Sequence, residues 1–301
     1  MDLSMNNPVS KTETSTMRNG RSDILVAFQG DHGAHSEAAA KTAFGAEVKT
    51  MPCETFAEIF EAVSSGKVTY GMAPIENSLV GSIHQNYDLL LEWQLPVVGE
   101  VNYRVSHALL ARKGSTVESI NKVYSHPVAL EQCREFFKAH PKMKPILWND
   151  TAGAVKMVAE SSLVNAAALA GVSAAEIYGM EILKEHLEDQ PTNFTRFLII
   201  AREPEPFEGE SKTSVVFSLK NEPGALFKCL SVFALRDISL TKIESRPMRQ
   251  AGWQYYFYID FADSAHSERG VKALDHLAEI APFIKVLGTY PTDKTFANHE
   301  H

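Results

Sequence analysis

The sequence predicts an α/β protein: two lobes with buried strands, followed by a ferredoxin-like βαββαβ domain. Three observations carry this. Short apolar runs end repeatedly in a loop of small polar residues that opens a helix, as at Ile24–Phe28, Tyr70–Ile75 and Ile146–Trp148. A connection rich in Pro and Glu, Arg202–Glu210, divides the chain. Beyond it Trp253, Tyr255, Phe257, Ile259 and Phe261 alternate strictly, which is the period of a half-buried strand.

In chain order, Ile24–Phe28 is a buried strand ending at Gln29-Gly30, and Ser36 is positioned to cap the helix that follows. Phe56, Ile59, Phe60 and Val63 lie at helical spacing, predicting a helix over 54–65. Tyr70–Ile75 is a strand leading into Glu76-Asn77-Ser78, with a helix-like run from Tyr87. A second set begins with strands at Ser106–Ala111 and Lys122–Tyr124. One helix through Leu130, Cys133, Phe136 and Phe137 follows, with Pro127 near its first turn. Ile146–Trp148, the loop Asn149–Gly153 and a helix come next, then a strand at Ala166–Ala170 and a short helix at Ala174–Tyr178. The last domain reads strand 213–219, helix 225–235, strand 238–245, strand 252–261, helix 268–280 and strand 284–290, the βαββαβ order.

With 29 Lys plus Arg against 37 Asp plus Glu, the net charge of −8 lacks the basic footprint of a nucleic-acid binder. No apolar run has the length of a membrane span, so no membrane partner is expected. Residues 1–23 are polar and lack the apolar core of a secretory signal; they read as a disordered tail or the remnant of a trimmed organellar precursor. Cys53, Cys133 and Cys229 show no metal or redox spacing and read as reduced core thiols.

The chemistry is expected around Asn193-Phe194-Thr195-Arg196-Phe197, read as a loop entering the buried strand Leu198–Ile200. On its own this is a turn whose Asn and Thr satisfy their own backbone. Its weight comes from the other junctions at strand ends: Gly33–Ser36, Glu76–Ser82, Ser125–Pro127 and Asp150–Gly153. Helix starts of this kind bind anions without cationic side chains. Two such lobes facing one cleft suit a small carboxylate-bearing molecule, with no metal motif and no dinucleotide fingerprint.

The motifs Pro74-Ile75-Glu76-Asn77-Ser78, Gly81-Ser82-Ile83-His84, Ser125-His126-Pro127, Asp150-Thr151-Ala152-Gly153 and Asn193-Phe194-Thr195-Arg196-Phe197 resemble those of the prephenate and arogenate dehydratases. The C-terminal part resembles an ACT domain. The resemblance implies a catalytic domain over 24–205 with lobes like those of type II periplasmic binding proteins. The first lobe would take about 24–104 and 190–205, the second about 105–189, and the ACT domain 212–295. It implies a cofactor-free decarboxylative dehydration, with aromatisation as driving force. By resemblance Thr195 hydrogen-bonds the departing ring hydroxyl, with Glu76, Asn77, Ser125 and Gln132 as further catalytic positions. Ser36, Ser78, Thr151, Gly153, Asn193 and Arg196 would bind substrate, Arg196 either by pairing with a carboxylate or by bracing its loop. Asn221, Gly224, Ala225, Leu226, Glu244, Ser245, Arg246 and Pro247 would hold phenylalanine as effector in a homo-oligomer, a dimer or tetramer.

The sequence departs from the family's usual residues at His35, Val128 and Gly171, where an aromatic, a glutamine and a serine are common. Prephenate is expected as substrate and the cytoplasm as compartment, because nothing resembling a transit peptide precedes the first strand. Arogenate and the plastid are the alternatives. A non-catalytic sensor of aromatic metabolites is the reading from another class.

Overall fold

In the computed structural model, which describes residues 23–248 and 254–293, the chain forms three sheets. The tail 1–22 and the residues Gly252 and Trp253 lie outside the described residues. The first lobe runs β1 (Leu25–Gln29), α1 (His35–Phe44), β2 (Lys49–Cys53), α2 (Phe56–Ser64), β3 (Tyr70–Asn77), β4 (Gly81–Ser82), α3 (His84–Trp93) and β5 (Val97–Arg104). The second runs β6 (Ala108–Ala111), β7 (Lys122–Ser125), α4 (Pro127–Glu131), α5 (Arg134–Ala139), β8 (Lys144–Leu147), α6 (Thr151–Glu160), β9 (Ala166–Ala170), α7 (Ser173–Ile177) and β10 (Glu181–Lys184). Strand β11 (Phe194–Ile200) then returns to the first sheet, between β3 and β5. The rest is β12 (Ser211–Ser218), α8 (Ala225–Ala234), β13 (Leu240–Pro247), β14 (Tyr255–Phe261), α9 (Glu268–Ile280) and β15 (Phe283–Pro291).

The first sheet has the order β2-β1-β3-β11-β5, with β4 beside β3, and the second β10-β6-β9-β7-β8. The C-terminal sheet, β13-β14-β12-β15, is antiparallel throughout, as βαββαβ connectivity requires. One face packs on α8 and α9 through Val215, Phe217, Ile259 and Phe261. The other face stacks on the first lobe, where Val216, Tyr258, Leu287 and Tyr290 join Ile75, Leu198 and Ile200 in one core. The alternation along β12 and β14 thus serves two partners, which explains why both faces are apolar.

Several expectations are corrected. Strands β2, β5 and β10 were not anticipated; β10 pairs at the sheet edge through a bulge and is mostly exposed, so its sequence carries little apolar signal. The single helix expected through Cys133 is two, broken at Gln132-Cys133, where Asp189 accepts from the Arg134 and Glu135 N–H groups of the second. Ser36 is not the cap of α1: Ala34 occupies that position and offers no side-chain hydrogen bond. Residues 194–197 are not a loop at a strand mouth but the first half of β11, paired on both sides. Cys53, Cys133 and Cys229 are buried and free.

Candidate active site

A cavity of about 590 Å³ lies between the two lobes. Its position follows from β11. In the antiparallel pair with β3, Thr195 lies opposite Asn77 and Arg196 opposite Glu76. Opposed residues share a face and successive residues alternate. Thr195 and Asn77 therefore face the cavity together, while Glu76 and Arg196 face the C-terminal sheet.

The cavity side is a directed chain of hydrogen bonds. The Asn77 Oδ1 accepts from the backbone N–H groups of Leu79 and Val80, at 3.0 and 3.1 Å, which fixes the amide's orientation. The two hydrogens of its Nδ2 serve Asn193 Oδ1 at 2.8 Å, Thr195 Oγ1 at 3.0 Å and the Phe194 carbonyl at 3.1 Å. The Asn193 Nδ2 donates to Gln132 Oε1 at 3.0 Å, and Gln132 Oε1 also accepts from His107 Nε2 at 3.0 Å. Two consequences follow from this bookkeeping. The Thr195 oxygen is already an acceptor, so its own O–H remains to donate into the cavity. His107 carries its proton on Nε2, so its Nδ1 is a lone pair.

Beside the chain, α1 begins at the cavity wall without a side-chain cap, and Ala34, His35 and Ser36 at its start line the cavity. An uncapped helix start next to a cavity is suited to a carboxylate. At α6, by contrast, the Gly153 N–H is taken by Asp150 Oδ1 at 2.7 Å. The lobes touch along this rim: Lys156 pairs with Asp31 at 3.2 Å, and Ser173 Oγ donates to the Gly33 carbonyl at 3.2 Å. A Cβ on Gly33 would stand 2.8 Å from the Ala174 Cα, so this closure needs glycine.

Among the expected site residues, Thr195, Asn77, Gln132, Ser36 and Thr151 line the cavity. Asn193 is fully buried behind them, aligning Asn77 with Gln132. The others are placed elsewhere. Ser125 is buried and its hydroxyl donates to the Leu169 carbonyl at 2.5 Å, tying β7 to β9. Ser78 donates to the Thr192 carbonyl and accepts from the Phe194 N–H, holding the start of β11. Gly153 gives room to its capping Asp150, whose Oδ2 would lie 2.5 Å from an added Cβ. Glu76 pairs with Lys242 of β13 at 2.6 Å. Arg196 pairs with Glu100 at 2.8 Å and Asp260 at 2.5 Å and donates to the Tyr290 hydroxyl at 3.0 Å, so it braces rather than meeting a ligand in the cavity.

Lys242 and Asp260 are themselves opposed on β13 and β14. The residues adjoining Asn77 and Thr195 are thus each clamped by one of a pair on the C-terminal sheet. Burial alone would lower the Arg196 pKa, but Asp260, Tyr290 and Glu100 outweigh it and raise it further. The expected effector residues join the same contact from the other side. Glu244 accepts from Ser82, a cavity residue, at 2.6 Å and pairs with His84 at 3.3 Å. Arg246 pairs with Asp88 at 3.4 Å. Glu244 and Arg246 therefore pair with the first lobe and not with each other. Ser245 and Pro247 point to the opposite, exposed face, and Asn221 and Gly224 are exposed before α8, with Gly224 at φ 76° and Ala225 and Leu226 continuing inward.

Sequence reasoning missed one lining residue, His107, and marked another, His35, only as a departure from the family's usual residue. The signal at His107 was a polar residue leading an otherwise apolar strand run. Burial lowers the pKa of both, and His107 adds to the effect on His35, which falls to about 3. His126 is lowered by burial as well, against a smaller opposite effect of Asp150. Among the described residues no group of His, Cys, Asp or Glu is arranged to hold a metal ion, and no helix is long and apolar enough to cross a membrane.

Comparison with known proteins gives two family matches: prephenate dehydratase over residues 26–205 and ACT domain over 213–279. Arogenate dehydratase 2 of Petunia hybrida is 44% identical over 310 residues, covering 96% of this chain and 77% of its own. The chloroplastic arogenate dehydratase/prephenate dehydratase 2 of Arabidopsis thaliana is 47% identical over 301 residues, covering 96% and 78%. The crystal structure of the prephenate dehydratase of Arthrobacter aurescens in complex with L-Phe aligns with a TM-score of 0.83 at 31% identity, covering 89% of this chain and 90% of that one. A structure described as a novel type of quorum quenching acylase aligns with a TM-score of 0.83 at 35% identity, covering 91% and 99%.

Proposed function

This chain belongs to the prephenate dehydratase family and carries an ACT domain, and we propose that it aromatises arogenate or prephenate by joint loss of carbon dioxide and water. One observation carries the reading: Thr195 accepts from Asn77, so its O–H is left to donate into the cavity. In the reaction the bond from ring carbon to carboxylate breaks and its electron pair enters the ring. The bond to the hydroxyl on the opposite carbon breaks with its electron pair on oxygen, which leaves as hydroxide held by the donor and takes a proton from solvent to become water. The gain of an aromatic ring drives both. Charge develops on the departing oxygen, and a donor pre-aimed at that oxygen stabilises it without reorganisation. Threonine is too weak an acid to be an ordinary proton donor. The Asn77–Asn193–Gln132 chain holds it as an aligned dipole. The uncapped start of α1 supplies N–H groups for a carboxylate.

The ACT domain is proposed to bind phenylalanine and to bias the cavity through Lys242 and Glu244, which reach Glu76 and Ser82. The L-Phe complex of the Arthrobacter relative supports this. The effector acts through a preference between two arrangements of that contact. A homo-oligomer pairing ACT domains is part of the proposal. The chloroplastic Arabidopsis relatives support a plastid location over the cytoplasmic one expected from sequence. Purified protein supplied with each substrate should yield phenylalanine from arogenate or phenylpyruvate from prephenate, with release of carbon dioxide. Binding of an aromatic metabolite with no turnover would instead favour the sensor.

A further inference from the structure

Resting on the dehydratase reading, we propose that His35 and His107 form an acceptor subsite for the substrate's side-chain ammonium, so that this chain prefers arogenate to prephenate. The two rings stand edge to face across the cleft, 5.2 Å between centroids. His107 Nδ1 and both nitrogens of His35 are buried without a hydrogen-bond partner. An unpartnered buried polar atom is costly, and three in one place mark a site waiting for a ligand.

The hydrogen-bond chain fixes what that ligand must bring. Gln132 Oε1 is oriented by Asn193 and accepts from His107 Nε2, so His107 Nδ1 can only accept. A keto oxygen is also only an acceptor and leaves it unsatisfied. An ammonium donates three hydrogens and can serve Nδ1 and the lone pair of a neutral His35 together. Burial holds both imidazoles toward the neutral form, and the nearness of His107 adds to this at His35, so the positive charge that would favour the more anionic keto substrate is absent. Among the described residues no Lys or Arg lines the cavity, whereas Asp150 and Glu54 do. A substrate with its own cation is therefore better accommodated.

The placement agrees with the ring chemistry. The leaving hydroxyl and the side chain sit on opposite ring carbons. Thr195 ends one side of the polar chain, and His35 lies beyond its other end, past Gln132 and His107. Gly171, across the cleft on the second lobe, makes room for His35: a Cβ there would stand 3.0 Å from the His35 Cε1. Two departures from the family's usual residues thus meet at one contact.

The test is kcat/KM for both substrates in the wild type, His35→Phe and His35→Asn. The wild type should favour arogenate by at least about tenfold. His35→Phe should lower kcat/KM for arogenate by about tenfold to a hundredfold, the scale of a lost hydrogen bond to a charged group, mainly through KM. Prephenate should change by no more than about threefold, and His35→Asn, which retains an acceptor, should recover part of the loss. Equal losses on both substrates, an unmoved ratio, or a wild type that prefers prephenate would overturn the proposal. Turnover of neither substrate by the wild type would instead overturn the dehydratase reading beneath it.

Discussion

Replacing Asp260 by asparagine removes one carboxylate from a buried set in which Arg196 and Lys212 are balanced by Glu100 and Asp260. Asp260 and Glu100 are 5% and 7% exposed, so the stranded positive charge has little solvent to turn to. Breaking such a pair from one side costs about 3–5 kcal/mol. At about 2–4 °C per kcal/mol for a chain of this order, the melting temperature should fall by roughly 6–20 °C. Activity should fall as well. Arg196 follows Thr195 in β11, and displacing the donor by an ångström costs up to about a hundredfold. Calorimetry and steady-state kinetics on the full chain read both. Adding Arg196→Met removes the stranded charge and leaves Glu100 with Lys212, so the double variant should regain more than half of the lost stability. A melting temperature unchanged in Asp260→Asn, or a double variant less stable than the single, would refute the reasoning that this contact is one balanced charge set.

Two further outcomes concern pH. Glu37, in the first turn of α1, is buried and accepts from the Gly33 N–H at 2.6 Å and the Thr50 hydroxyl at 2.7 Å. Burial alone would raise its pKa, but those bonds, His32 and Lys41 together lower it below 4.5. The stability it contributes is therefore full above pH 4.5 and lost as pH falls through the lower folded value; Glu37→Gln should cost about 1–3 kcal/mol at neutral pH and flatten the acid limb of urea unfolding. A variant with the same acid limb as the wild type would contradict this. Because burial lowers His35, His107 and His126, kcat should show no histidine ionisation near 6.5. A kcat limb at that pH that shifts in His126→Gln would argue for a titrating group the mechanism does not use.

The fold class was legible because it rests on periodicity. The alternation through Tyr255, Phe257, Ile259 and Phe261 and the helical stripes at Phe56–Val63 and Leu226–Phe233 survive any tertiary context. The edge strands were not, since β2 and β10 bury one face or less. At the site, residue types were legible but directions were not. Reading 193–197 as loop discarded the rule that would have separated Thr195 from Arg196: in a strand, neighbours point to opposite faces. Glu76 beside Asn77 failed in the same way. Its carboxylate is part-exposed and paired, and the partner, Lys242, lies more than 160 positions away in sequence. His107 was hidden because its role comes from Gln132, at the break between two helices that no glycine or proline announces.

Thr195→Val tests the central claim most directly, because valine keeps the branched shape that β11 needs and removes only the hydroxyl. If Thr195 O–H stabilises the departing oxygen, kcat on the preferred substrate should fall about a hundredfold to a thousandfold, with KM and melting temperature little changed. A kcat within a few-fold of the wild type would contradict the account and shift the search for the donor to Gln132 and Ser36.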